Sequence, residues 1–136
     1  MTKGRPPWAG GSSFELNNDL AEMPVLVEQF EAFCAREGIG PEVASVVKLA
    51  LEEIVTNIIS YGYADAEEHH IRVDLAHDGA NLTARVEDDA TAFDPLQKED
   101  EDSGLGFHLV RTLMDEVAYS RQQDRNVLRI RKALVS

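Results

Sequence analysis

The chain has 136 residues, 43% hydrophobic and 28% charged, a size and balance that allow one folded domain and exclude a fibrous or globally disordered class. Its 25 acidic against 13 basic residues give a net charge of -12, which repels nucleic-acid phosphates and anionic membranes, so neither is an expected direct partner. A single cysteine, Cys34, excludes an intramolecular disulfide; with no signal-peptide core and no run near the ~18–20 apolar residues of a membrane helix, a cytoplasmic location is expected.

Residues 1–11, rich in Pro and Gly, predict a flexible leader before a domain spanning 12–136. Ser13-Phe14-Glu15-Leu16 alternates as a short strand does. From about Leu20 to Arg36, Leu26, Phe30 and Phe33 recur at helical spacing, and Gly38 and Gly40 end that helix. Pro41 suits the first turn of a second helix, whose stripe Val43, Val47, Ala50, Ile54 and Ile58 runs to about Gly62. His69-His70 falls in a loop and reads as solvated. Ile71–Leu75 and Leu82–Val86 alternate around the turn-forming 78–81 and predict a hairpin. The acidic run 98–102 reads as a loop. A third helix is expected to start at Ser103-Gly104-Leu105-Gly106, with Leu105, Leu109, Leu113 and Val117 on its buried side. Val117–Ser120 and Val127–Ile130 then form a final hairpin around Gln123-Asp124. This order predicts an α/β (α+β) two-layer sandwich, a mixed, mostly antiparallel sheet with helices on one face.

Three groups of residues carry candidate chemistry. On the second helix the apolar stripe sweeps over Asn57, a carboxamide among apolar neighbours that must find a partner or a ligand, because an unpaired buried polar group costs about 1–3 kcal/mol. Glu53 lies one turn earlier on the border of that face, whereas Glu52 points to solvent. Spacing alone favours the plainer reading of a surface charge at Glu53 and a structural amide at Asn57 bonded to a neighbouring loop. Ser103-Gly104-Leu105-Gly106 offers unpaired N–H groups at a helix start, a place for phosphate or an ordinary flexible helix entry. Asp88-Asp89-Ala90-Thr91-Ala92-Phe93-Asp94-Pro95 follows a strand and also fits a plain acidic turn.

In this order, Glu53-Ile54-Val55-Thr56-Asn57 with Gly62-Tyr63, Asp88 through Pro95, and Gly104-Leu105-Gly106-Phe107-His108-Leu109-Val110-Arg111 resemble the three boxes of the Bergerat, or histidine kinase-like, ATP-binding fold. The resemblance covers about Phe14 to Leu134. The Glu four before the Asn, the Phe-Asp-Pro ending and the stretch Arg111 to Glu116 resemble the anti-sigma factor serine/threonine kinases. The resemblance implies ATP and Mg2+ as cofactors, Glu53 as catalytic base and Asn57 as a magnesium ligand. It implies nucleotide contacts from Asn57, Asp88, Ala92, Phe93, Ser103, Gly104, Leu105 and Gly106, with Asp88 accepting from the adenine amino group. It further implies an anti-sigma regulatory factor that binds a sigma factor or similar regulator, phosphorylates an antagonist protein and can form a homodimer.

Ala90 and Ala92 stand where the family commonly has glycines, which makes positive φ costly there and favours the alternative of a non-catalytic, nucleotide-binding protein-interaction switch. The stretch from Pro95 to Ser103 predicts a short lid. The last strand offers Leu128-Arg129-Ile130, with no threonine matched to the one that usually assists adenine binding.

Overall fold

The structure, a computed structural model, describes residues 11–63, 65, 67–92 and 108–134. Strand β1 (Ser12–Asn17) is followed by a 3-10 turn, Leu20–Glu22, which Asp19 caps by accepting from the Ala21 N–H at 2.9 Å. Helix α1 (Met23–Glu37) buries Leu26, Phe30, Phe33 and Cys34, one stripe at helical spacing. The helix expected from Leu20 is thus a tighter turn joined to an α-helix. Gly38 takes φ 72° at the end of α1, where a side chain would be strained. Helix α2 (Pro41–Tyr61) has proline in its first turn and buries Val47, Ala50, Leu51, Ile54 and Val55.

The remaining strands are β2 (His70–His77), β3 (Asn81–Asp88), β4 (Glu116–Gln122) and β5 (Arg125–Ala133). They form a five-stranded sheet in the order β1-β2-β3-β5-β4, antiparallel at every pairing. Both predicted hairpins are present. In the β2–β3 turn, Asp78 accepts from the N–H groups of Ala80 at 2.9 Å and Asn81 at 2.8 Å, and Gly79 supplies φ 88°. The β4–β5 turn is the two residues Gln123 (φ 51°) and Asp124 (φ 66°), both in the left-handed region that a tight hairpin matching strand twist requires.

Phe14, Val73, Val86, Leu128 and Tyr119 align across all five strands on the face that α1 and α2 cover, and with Phe30, Phe33, Leu51 and Val55 they build the core. Each fully buried large apolar side chain here contributes about 1.5–3 kcal/mol relative to exposure. The opposite face carries charge. Asp74, only 1% exposed, accepts from Ser13, from Arg72 at 3.0 Å and from Arg85 at 2.9 Å, so its charge is paired in place.

Residues 108–113 are helical. The buried side chains there are Val110 and, just past the helix, Met114, while Leu109 is 37% exposed and Val117 already belongs to β4. The most buried positions thus fall one residue after the expected Leu109 and Leu113, with Leu113 partly buried against the core, and the helix ends before Val117, which packs on the core from β4. No helix among the described residues is long and apolar enough to cross a membrane.

Candidate functional site

Strand β3 alternates Leu82, Ala84, Val86 and Asp88 onto its buried face, so the strand period brings a carboxylate to the end of an apolar row. Asp88 is 3% exposed. Its register partner on β5 is Asn126, itself 7% exposed, and the partner of Asn126 on β4 is Arg121. The core row thus turns polar at one end of the sheet: Asp88, Asn126 and Arg121 side by side.

Hydrogen bonds tie this end together. Asn126 Nδ2 donates to Asp88 Oδ1 at 2.9 Å and to the carbonyls of Ala90 at 3.3 Å and Thr91 at 3.1 Å. The Ala90 N–H also donates to Asp88 Oδ1, at 2.8 Å. Asn126 Oδ1 accepts from the Tyr119 hydroxyl and from Arg121 Nη1 at 3.0 Å, and the same Arg121 nitrogen reaches the Ala90 carbonyl at 2.9 Å. Every bond that Asp88 receives from a described side chain or backbone N–H falls on Oδ1. Burial pushes the Asp88 carboxyl above its ordinary value, against the opposing pull of the Asn126 and Ala90 hydrogen bonds.

The end of α2 closes the other side. The Thr91 N–H donates to the Gly62 carbonyl at 3.2 Å, and a Cβ on Gly62 would stand 2.6 Å from the Ile58 carbonyl oxygen and 2.9 Å from Ala90 Cβ. Gly62 is needed for this close approach. Among the described residues the non-glycine positions with positive φ are Gln123 and Asp124, so Ala90 and Ala92 adopt ordinary backbone and the expected strain at these alanines is absent. The turn after Asp88 needs no glycine because Asn126, Arg121 and Gly62 hold its carbonyls and N–H groups.

Glu53 and Asn57 both lie on α2, and both are half-buried. Asn57 is less enclosed than its place in the stripe suggests, and Glu52 is also half-buried rather than turned fully to solvent. The Asn57 side chain makes no hydrogen bond to another described residue, and Asn57 lies five residues before the Gly62 that touches the Asp88 turn. Ala92 is exposed at the end of that turn. Phe93, Ser103, Gly104, Leu105, Gly106 and the lid lie outside the described residues. No cluster of three His, Cys, Asp or Glu side chains among the described residues is arranged to hold a metal.

A second group flanks Asp88. His69 stacks on Tyr63 with ring centroids 4.3 Å apart, and its nitrogens reach Asp65 at 2.9 Å and Asp89 at 3.2 Å. Tyr63 donates to Asp89 at 3.2 Å. The expectation of a solvated His69 is corrected: two carboxylates and a ring enclose it. Its hydrogen bond to Asp65, helped by that to Asp89, raises its pKa.

The profile of the histidine kinase-like ATPase domain matches residues 16–132. The chain belongs to this family. Among curated relatives, the histidine kinase-like domain described here is similar to the anti-sigma F factor of Clostridium novyi (strain NT), 32% identical over 52% of this chain and 57% of the relative. It is also similar to the serine-protein kinase RsbW of Listeria monocytogenes, 31% identical over 61% of this chain and 62% of the relative. The chain thus aligns with about three-fifths of the length of these relatives. Among solved structures, the RsbU and RsbW domains of a Mycobacterium tuberculosis protein superpose with a TM-score of 0.66 at 17% identity, covering 90% of this chain and 32% of that one. The blue-light activated histidine kinase of Erythrobacter litoralis EL346 gives 0.58 at 22% identity, covering 71% of this chain and 32% of that one. At these identities the likeness is one of fold.

Asn126, Arg121 and Tyr119 were not singled out by motif reading. A signal was present, since Asn126 shares the buried phase of its strand with Leu128 and Ile130, as Asp88 does with Val86.

Proposed function

We propose that this chain is an ATP-dependent serine/threonine protein kinase of the anti-sigma type, which binds a sigma factor or related regulator and phosphorylates an antagonist protein. The observation that carries the reading is the buried Asp88 carboxylate at the end of the core row, beside the last turns of α2. A carboxylate in a shielded site discriminates strongly for a donor such as the adenine amino group, because leaving it unpaired is costly. Asn57 supports the reading with a half-buried carboxamide oxygen, a hard ligand suited to magnesium. With no protein cage among the described residues, the ion's other ligands would come from phosphates and water. Bound there, magnesium neutralises phosphate charge, which a chain of net charge -12 does not do by itself.

In this reading Glu53, one turn from Asn57, accepts the proton of the attacking serine or threonine hydroxyl. The N–H groups at 103–106 meet the phosphates, and Ala92 and Phe93 border the nucleotide. The similarity to an anti-sigma F factor and to RsbW supports the choice of partners.

The test pairs nucleotide affinity with transfer of labelled phosphate from ATP to a candidate antagonist. Asn57→Ala should lose both. Glu53→Gln should keep ATP affinity while transfer falls by about 10²- to 10⁴-fold, the usual contribution of a general base. Equal transfer by wild type and Glu53→Gln would displace Glu53 from the role. Wild type that binds ATP and transfers nothing to a cognate partner would leave the non-catalytic switch in place of the kinase.

A further inference from the structure

Asn126 stands at the centre of the polar end of the sheet, and its chemistry admits one orientation. Arg121 can only donate, so the atom facing it must be the amide oxygen; the carbonyls of Ala90 and Thr91 can only accept, so the atom facing them must be the amide nitrogen. The nitrogen that faces the two carbonyls also faces Asp88 Oδ1, which must therefore accept. Arg121 and Tyr119 lock the amide from behind, and the Ala90 N–H adds a second donor to the same carboxylate oxygen.

We propose that Asn126 is the positioning residue for purine selection: by occupying Asp88 Oδ1 and fixing the turn after it, it presents Oδ2 as an acceptor and so favours a 6-amino over a 6-oxo purine. The inference rests on the ATP reading for its ligand, and on the geometry of Asp88, Asn126, Arg121 and Tyr119 for its mechanism. Without the amide, burial would favour the neutral acid, which donates from its hydroxyl and matches the carbonyl of a 6-oxo base. The other groups that act on Asp88 are Asp89 in the same turn, Tyr63 beyond α2, Arg125 on β5 and, through Asn126, Arg121 on β4.

The experiment uses the full chain and the variants Asn126→Leu, which removes the amide, and Arg121→Lys, which loosens its rear anchor. Affinities for ADP and IDP with magnesium are measured by calorimetry over a range of pH, and the Asp88 carboxyl carbon is titrated by NMR without nucleotide. In Asn126→Leu the ADP-over-IDP preference should fall by about tenfold, the value of a hydrogen bond to a charged group. The pH dependence of ADP affinity should move to higher pH than in wild type, and the nucleotide-free Asp88 titration should move upward with it. Arg121→Lys should show the same changes in smaller degree, which keeps the test decisive where the leucine variant folds poorly. Unchanged base preference together with an unchanged Asp88 titration would overturn the proposal. A shifted titration in a protein whose wild type binds neither nucleotide would sink the ATP reading and the purine selection with it, leaving only the clamp on Asp88.

Discussion

His69 shows how one side chain gathers function-sized consequences from its neighbours. Its imidazole bridges Asp65, beyond the end of α2, and Asp89, the residue next to Asp88, while stacking on Tyr63. The raised pKa means that the folded state holds the proton more tightly than the unfolded chain does. The stabilisation is therefore complete below the unfolded value of about 6.5 and is lost as pH rises through the higher folded value. His69→Asn should flatten the decline of melting temperature with pH, measured between about pH 5.5 and 8.5, relative to wild type. Parallel curves for the two proteins would mean that the two carboxylates do not hold the imidazolium. Neither the bridge nor the Asn126 clamp could be read from spacing. Asp88 and Asn126 are separated by 38 positions, and only the β3–β5 register sets them opposite each other. What spacing did carry was the phase: each residue stands where its strand demands an apolar side chain.

At the scale of elements, the local signals that were legible are those with a steric or hydrogen-bonding cause. Proline opened α2, Gly38 closed α1, and the period of two marked both hairpins. The errors arose where a period was extended past its element, as in the stripe through Leu109 and Val117, or where family glycines were equated with a required conformation, as at Ala90 and Ala92. The β4–β5 turn is a place where the sequence opposes its own backbone. Gln123 and Asp124 both hold positive φ without being glycine, at a cost of order 1–2 kcal/mol for an ordinary residue and less for aspartate. Asp124→Gly should relieve part of that cost, stabilise the domain by about 0.5–1 kcal/mol and raise Tm by about 2–4 °C. A lower Tm would show that an Asp124 side-chain contact outweighs the backbone strain.

At the scale of the molecule, among the described residues, α1 and α2 cover one face of an antiparallel sheet, the other face is lined with ion pairs, and one end of the core row is polar. This asymmetry positions the candidate site: Asp88 is buried at the polar end of the core row, and the end of α2 meets the turn that Asp88 begins, where the Thr91 N–H donates to the Gly62 carbonyl. The two-layer class and the order of its elements were legible because each element was amphipathic in its own period. The direct measurement is calorimetry of a non-hydrolysable ATP analogue with magnesium, on wild type and on Asp88→Asn, with circular dichroism to establish that both are folded. Wild type should bind, and Asp88→Asn, nearly isosteric but with a donor in place of one acceptor, should bind at least about tenfold more weakly at unchanged fold. Absence of binding to wild type at millimolar nucleotide, or equal affinity in the two folded proteins, would contradict an adenine site at Asp88.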